Sequence, residues 1–157
     1  MSNLTIERAT APTPEVVRLI GALDAYLGAL YTPDQQHGLR LDALFEPHVR
    51  FFVARLDGEA VGCGAIVLFD GHAEVKRMFT TEAARARGVA TAVLARLEDE
   101  ARVEGRSLLR LETGIHQHEA LILYERRGFT RCDPFPPYTD MAPHQIGLSR
   151  FYEKLLD

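Results

Sequence analysis

The stretch Val75-Lys76-Arg77-Met78-Phe79-Thr80, followed by Arg85-Ala86-Arg87-Gly88-Val89-Ala90, decides the fold and the place of the chemistry. Its first half has the character of a β-strand, and its second half is a short basic loop that enters a helix. A helix start offers unpaired backbone N–H groups and a positive dipole end, and a glycine there lets an anion approach closely. The two arginines add donors that suit phosphate. The pattern predicts a site for a phosphorylated cofactor at the end of a strand.

The chain before this stretch predicts a helix and an antiparallel meander. Leu4–Arg8 alternates apolar and polar residues and predicts an edge strand, and Thr13 caps a predicted helix that runs from residue 14 to 30. A short helix is predicted at 39–45. Two Asp-Gly pairs, at 57–58 and 70–71, predict hairpins with type I′ turns. The predicted meander strands are 49–56, 60–69 and 73–80.

The chain after it predicts a helix at 87–104, a strand at 107–113, a helix at 117–127, a proline-rich loop at 133–143 and a last strand within 146–155. A strand, a crossover helix and a strand imply parallel pairing. The predicted class is therefore α+β. We expect a mixed sheet of six to seven strands, antiparallel early and parallel at the centre, with helices on both faces.

Composition limits the classes of function. The chain has 157 residues, 46% of them hydrophobic, and a formal net charge of −4, which argues against a sequence-independent nucleic-acid binder. A length of this order predicts one domain, 1–157. No stretch reaches the length of a membrane span, and residues 1–8 do not resemble a secretory signal. The two cysteines, Cys63 and Cys132, suit a reducing compartment, so a cytoplasmic location is predicted.

Two further segments complete a family pattern. The order Arg85-x-x-Gly88-x-Ala90, helix, strand, and a helix ending Leu123-Tyr124-Glu125-Arg126-Arg127-Gly128-Phe129 resembles the GNAT superfamily of acetyl-CoA-dependent N-acetyltransferases. The phrases Ala73-Glu74-Val75-Lys76-Arg77-Met78 and Leu111-Glu112-Thr113-Gly114 resemble the bacterial branch that includes YsnE-like proteins. The resemblance implies the GNAT fold and acetyl-CoA as cosubstrate.

The resemblance also implies how acetyl-CoA is held. The backbone of Met78, Phe79 and Thr80 would pair with the pantetheine arm, and the Met78 N–H would donate to the thioester carbonyl. Gln117 stands where many members have an asparagine near the cofactor. The backbone N–H groups that would hold the pyrophosphate belong to Arg85, Ala86, Arg87, Gly88, Val89 and Ala90.

Catalytic roles follow from the same resemblance. Tyr124 stands where the family places the acid that protonates the CoA thiolate, and a packing aromatic is the alternative. Glu74 is the first candidate base, because strand alternation would put it on the same face as Met78. Its alternative is an ion pair with Lys76 or Arg77. Glu112 is the second candidate base, with an ion pair to an arginine as its alternative.

The acceptor pocket is predicted from Tyr31, His37, Glu112 and Tyr138, the last on a loop that covers it. No metal is predicted, since the His-x-His spacing at 116–118 lacks a zinc signature. The predicted reaction moves acetyl to a primary amine of a small molecule by direct attack. Alternatives are a protein-acetylating enzyme and a non-catalytic acetyl-CoA sensor; a dinucleotide oxidoreductase is disfavoured, because a G-x-G-x-x-G is missing. No nucleic-acid or membrane partner is expected, and a homodimer stays open.

Overall fold

A computed structural model describes residues 3–157, and these form one seven-stranded sheet with helices packed against it. The strands are β1 Leu4–Arg8, β2 Val49–Leu56, β3 Glu59–Phe69, β4 His72–Thr80, β5 Leu108–Gly114, β6 Thr130–Arg131 and β7 Ser149–Leu155. The helices are α1 Pro14–Leu30, α2 Val89–Val103, α3 His118–Arg126 and α4 Pro143–Ile146. The strand order is β1-β2-β3-β4-β5-β7-β6, and only β4 and β5 pair in parallel. The predicted mixed sheet, parallel at its centre, is confirmed.

Local signals placed most element boundaries. The Thr13 hydroxyl accepts from the Val16 N–H at 3.3 Å and caps α1, as predicted. At the first hairpin Asp57 and Gly58 both have positive φ, as a type I′ turn requires. At the second only Gly71 does, so that turn is of another type. The helix predicted at 39–45 is only a 3₁₀ turn at Asp42–Phe45, and β6 and α4 were not predicted.

The helices cover both faces of the sheet, which confirms the predicted layering. Helix α1 buries Val16, Leu19 and Ile20 against one face. On the opposite face α2 buries a second set of residues: Val89, Val93, Leu94, Leu97 and Ala101. Helix α3 lies on the same face and contributes Tyr124 to the same core. These two faces are called the α1 face and the α2 face below.

A β-bulge interrupts β4. Cys63 pairs with Phe79 and Ala65 with Lys76, so two residues of β4, Arg77 and Met78, lie opposite the single residue between them on β3. Arg77 has φ 58°, and its side chain lies on the α1 face with Lys76. Met78 packs into the core on the α2 face. Because the bulge reverses the alternation, the prediction that Glu74 and Met78 share a face is wrong.

The central parallel pair opens into a gap. Strands β4 and β5 pair only from Ala73 with Leu109 to Val75 with Leu111. Beyond that point β4 runs on to Thr80, while β5 pairs only with β7 on its other side, as far as Gly114. The gap leaves one edge of each strand facing an opening through the sheet.

No helix within residues 3–157 is long and apolar enough to cross a membrane. The absence of a secretory signal was predicted for residues 1–8, and Met1 and Ser2 of that segment lie outside the described residues.

Candidate active site

A cavity of about 240 Å³ opens between the end of β4 and the first turns of α2 and α3, and is called the cofactor cavity below. Its lining residues are Tyr26, Met78, Phe79, Thr80, Ala84, Arg85, Ala86, Gly88, Val89, Ala90, Thr91, Gln117, Glu119, Ala120, Leu123 and Tyr124. This set includes every residue that the sequence predicts for acetyl-CoA except Arg87. Arg87 is exposed and does not line the cavity.

The loop before α2 has the form of an anion site. Gly88 caps α2 with φ +80°, and a Cβ built there meets no atom within 4 Å, so its backbone lies open. The first N–H groups of α2 have no partner inside the helix. The Arg85 guanidinium lies over the Tyr26 ring, 5.5 Å from its centre, and its Nε donates to the Thr80 carbonyl at 3.3 Å. These features fit a pyrophosphate.

A smaller cavity of about 80 Å³ opens on the α1 face and is called the acceptor cavity below. Its lining residues are Leu23, Leu27, Tyr31, Gln35, Gln36, His37, Gly38, Val75, Lys76, Arg77, Met78, Glu112, Thr113, Gly114, Gln117 and Tyr124. Of the residues predicted for the acceptor pocket, Tyr31, His37 and Glu112 line it. Tyr138 does not, and neither does Glu74, the first candidate base.

The two cavities meet at the gap between β4 and β5. Met78, Gln117 and Tyr124 line both of them. A molecule held by the loop before α2 and a molecule on the α1 face would therefore touch at these residues. The Gln117 Oε1 accepts from the Gly114 N–H at 3.0 Å and ties the start of α3 to the end of β5.

Tyr124 is a buried aromatic that lines both cavities at this junction. It is 5% exposed, and its ring packs edge-to-face on Phe129 with centroids 5.7 Å apart. Burial raises the pKa of its hydroxyl, and the nearby charge of Glu112 adds to the rise. The phenol therefore stays protonated at neutral pH. The hydroxyl can serve as a proton donor. The ring also packs in the core, which is the alternative role predicted for Tyr124.

Glu112 presents a carboxylate to the acceptor cavity. Its Oε2 accepts from the Ser149 hydroxyl at 2.6 Å. Burial raises the pKa of this carboxyl above its usual range, while Ser149 and Lys76 counteract part of the rise. The predicted ion pair between Glu112 and an arginine is not formed among residues 3–157. Arg110 of the same strand pairs instead with Glu153 at 3.8 Å.

Glu74 lies beneath the cavity wall. It is 1% exposed, and its Oε2 accepts from the Tyr138 hydroxyl at 2.5 Å and lies 3.1 Å from the Lys76 Nζ. The predicted alternative, pairing with Lys76, is therefore what the structure has. Tyr138 is 3% exposed and packs against Phe135 and Phe151. It supports the wall from behind instead of lining the pocket, which corrects its predicted position.

Tyr31 joins the end of α1 to the loop between β5 and α3. Its hydroxyl accepts from the His116 N–H at 3.0 Å. A Cβ at Gly114 would lie 1.8 Å from that hydroxyl oxygen, so the contact depends on a glycine there. The His116 ring packs on Tyr31 with centroids 5.7 Å apart. Within residues 3–157 no group of three His, Cys, Asp or Glu side chains could hold a metal ion.

Sequence reasoning missed Lys76 and Arg77 as cavity residues. The Arg77 Nε donates to the Leu39 carbonyl at 2.8 Å, and its Nη1 pairs with Asp24 at 2.9 Å. The missed signal was Gly64. A Cβ there would lie 2.6 Å from the Met78 Sδ, and a glycine inside a strand indicates a bulge or a close approach.

Comparison with known proteins decides the family. A sequence profile of the Acetyltransferase (GNAT) family matches residues 19–129. The chain belongs to the GNAT family. It is an acetyl-CoA-dependent N-acetyltransferase, with acetyl-CoA as its cosubstrate.

Relatives match the chain over nearly its whole length. It is 46% identical to the IAA acetyltransferase of Azospirillum brasilense, over 99% of this chain and 100% of that one. It is 35% identical to YsnE of Bacillus subtilis, an uncharacterised N-acetyltransferase, over 87% of this chain and 91% of that one. A crystal structure from Klebsiella pneumoniae, described as an acyl-CoA N-acyltransferase, is 38% identical with a TM-score of 0.79, over 98% of both chains.

Proposed function

We propose that this acetyltransferase moves acetyl from acetyl-CoA to the primary amine of a small molecule, by direct attack while both are bound. The observation that carries the proposal is the meeting of the two cavities at Met78, Gln117 and Tyr124. A donor on the α2 face and an acceptor on the α1 face reach each other there without a covalent enzyme intermediate. The whole chain, 1–157, would act as one catalytic domain.

Proton transfer uses two side chains of the junction. Glu112 takes a proton from the ammonium group, because it lines the acceptor cavity and its raised pKa makes it a stronger base. The free amine then attacks the thioester carbonyl, and the Met78 N–H would stabilise the charge on its oxygen. Tyr124 gives its proton to the departing thiolate, and the second proton that the nitrogen loses as the amide forms returns to the Tyr124 oxygen. Glu112 replaces Glu74 as the first candidate base, since Glu74 does not line either cavity.

The size of the acceptor cavity supports a small substrate. A volume of about 80 Å³ holds a handful of waters, since one water needs roughly 10–15 Å³ on this measure. Leu23, Leu27 and Val75 give it an apolar side, and Glu112 gives it a carboxylate. The two cations that also line it, Lys76 and Arg77, are each paired with a carboxylate, Glu74 and Asp24 respectively. The cavity therefore suits a small organic amine with an apolar body.

The proposal is tested by a screen for thiol release from acetyl-CoA. The acceptors are small amines, aminoglycosides, peptides with free amino groups and, because of the relative's name, IAA. We expect turnover of small amines with N-acetylated products identified by mass spectrometry. Preference for peptides would favour a protein substrate, and transfer to IAA alone would contradict an amine acceptor.

Binding of acetyl-CoA is tested without any acceptor. Ligand at a hundred times its dissociation constant adds roughly 2.7 kcal/mol of stability. We therefore expect a clear rise in Tm with acetyl-CoA, and a similar rise with CoA, because both carry the pyrophosphate. An unchanged Tm at millimolar ligand would contradict the assignment of the cofactor cavity.

The thiols and the net charge support a proposal for the cellular compartment and the partners of the enzyme. Cys63 and Cys132 are free, and burial raises the pKa of both thiols, to about 12 and about 11 respectively, so both stay protonated. Free thiols suit the reducing cytoplasm, where we place the protein. With a net charge of −4 we expect no nucleic-acid partner, and a homodimer is a matter for sedimentation analysis.

A further inference from the structure

Beside the acceptor cavity lies a buried group of three side chains, Glu74, Lys76 and Tyr138. The Lys76 ammonium donates to the Tyr138 hydroxyl and to the His37 carbonyl, the latter at 2.8 Å, and lies 3.1 Å from Glu74 Oε2. The Tyr138 hydroxyl donates its own proton to Glu74. Two protons of the ammonium are thus held by hydrogen bonds, and the Glu74 carboxylate holds the charge as an ion pair. The charge is held in one place.

Only Lys76 of these three reaches the acceptor cavity. Glu74 and Tyr138 are 1% and 3% exposed, so water and substrate do not touch them. The register pairs Glu74 with Arg110, and Lys76 and Glu112 each come two residues later, on the same face, where the strands begin to separate. The fixed ammonium thus stands across the gap from the Glu112 carboxylate.

We propose that Glu74 and Tyr138 are positioning residues that fix the Lys76 ammonium across the gap from Glu112, and that this cation sets the ionisation of the Glu112 carboxylate. The inference rests on the proposed role of Glu112 as the base. Glu74 would then act on the reaction through the position of Lys76 and through its own charge, without touching the amine.

The electrostatic signs make the proposal specific. Lys76 and His37 favour the ionised Glu112, whereas Glu74 and burial disfavour it. The titratable or polar side chains that surround Glu112 are Glu74 and Lys76 of β4, His37 of the loop after α1, Tyr31 at the end of α1, Tyr124 of α3, Tyr138 of a 3₁₀ turn at Tyr138–Asp140 and Ser149 of β7. Arg77 of β4 also lines the acceptor cavity, with its charge paired to Asp24. Among them, Lys76 and His37 act on Glu112 as cations, and Glu74 is the other carboxylate. Removing Lys76 and removing Glu74 must therefore move the Glu112 titration in opposite directions.

The experiment titrates Glu112 directly, by ¹³C NMR of glutamate carboxyls, with neither acetyl-CoA nor amine present. Glu112→Gln assigns the signal. Lys76→Met should raise the titration midpoint by about one pH unit, because an opposite charge at close range has gone. Glu74→Gln should lower the midpoint. Tyr138→Phe should raise it less than Lys76→Met, because the ammonium loses one of its partners.

Two further variants serve as controls, one that removes both charges together and one that breaks an ion pair elsewhere. Glu74→Gln/Lys76→Met removes both charges and should give a midpoint between those of the two single variants. Lys154→Met breaks another buried pair, Lys154 with Glu98 at 2.9 Å, and should leave the Glu112 midpoint unchanged. An unchanged midpoint in Lys76→Met would overturn the proposal, and so would a double-variant midpoint equal to that of Glu74→Gln alone, because removal of the cation would then have no effect.

The same variants are assayed for the pH dependence of kcat/KM with the best amine from the screen. The acidic limb should follow the NMR midpoint of each variant. If Glu74→Gln abolishes the limb while the Glu112 signal stays in place, Glu74 is itself the base and the proposal fails. If no amine is turned over, the proposed function fails, while the NMR midpoints still decide whether Lys76 controls Glu112.

Discussion

The cofactor cavity and the acceptor cavity are built differently. The first is lined mostly by one continuous segment, the end of β4 and the loop into α2, completed by α3. The second collects residues from α1, the loop at 35–38, β4, β5 and α3. One is therefore a local arrangement of backbone groups and the other a long-range assembly of side chains. A single substitution outside the shared residues Met78, Gln117 and Tyr124 should accordingly disturb one cavity without the other.

The largest effect is expected at Gly88. Gly88→Asp places a carboxylate beside the pyrophosphate, and repulsion of about 4 kcal/mol corresponds to a roughly 10³-fold loss of acetyl-CoA affinity. Gly88→Asn is the matched control, because asparagine tolerates the same positive φ and lacks the charge. Calorimetric titration with acetyl-CoA measures both. Equal affinities in the two variants would show that the anion site is elsewhere.

A smaller effect, confined to the chemistry, is expected at the junction. Tyr124→Phe removes the hydroxyl that protonates the thiolate, so kcat should fall by about 10²-fold, with little change in KM for acetyl-CoA. The buried ring stays, so the Tm should hold nearly constant. A variant with full kcat would leave Tyr124 with only its packing role.

The effect at Glu112 depends on pH and is the smallest at alkaline pH. Glu112→Gln removes the proton acceptor, so kcat/KM should fall progressively as the pH drops below the amine's own pKa. At high pH the amine is already neutral and the loss should shrink towards none. Steady-state profiles from pH 6 to pH 10 test this, and a loss independent of pH would indicate that Glu112 only shapes the cavity.

The contrast also explains what sequence reasoning could reach. The lining of the cofactor cavity was predictable nearly residue by residue, because the glycine, the helix start and the strand end lie within fifteen or so positions. The arrangement of the acceptor cavity depends on the positive φ of Arg77. A positive φ favours glycine, so an arginine at this position gives no sequence signal of it. Strict strand alternation across that bulge predicted the same face for Glu74 and Met78, which is wrong. Tyr138 was misplaced because its neighbours, Phe135 and Phe151, meet only in the folded chain.

The gap between β4 and β5 has a consequence for how specificity can change. The residues that line the acceptor cavity share only Met78, Gln117 and Tyr124 with those that line the cofactor cavity. Leu23, Leu27 and the loop at 35–38 can vary while the loop before α2 stays constant. A library of variants confined to those positions would test new acceptors while the lining of the cofactor cavity stays unaltered.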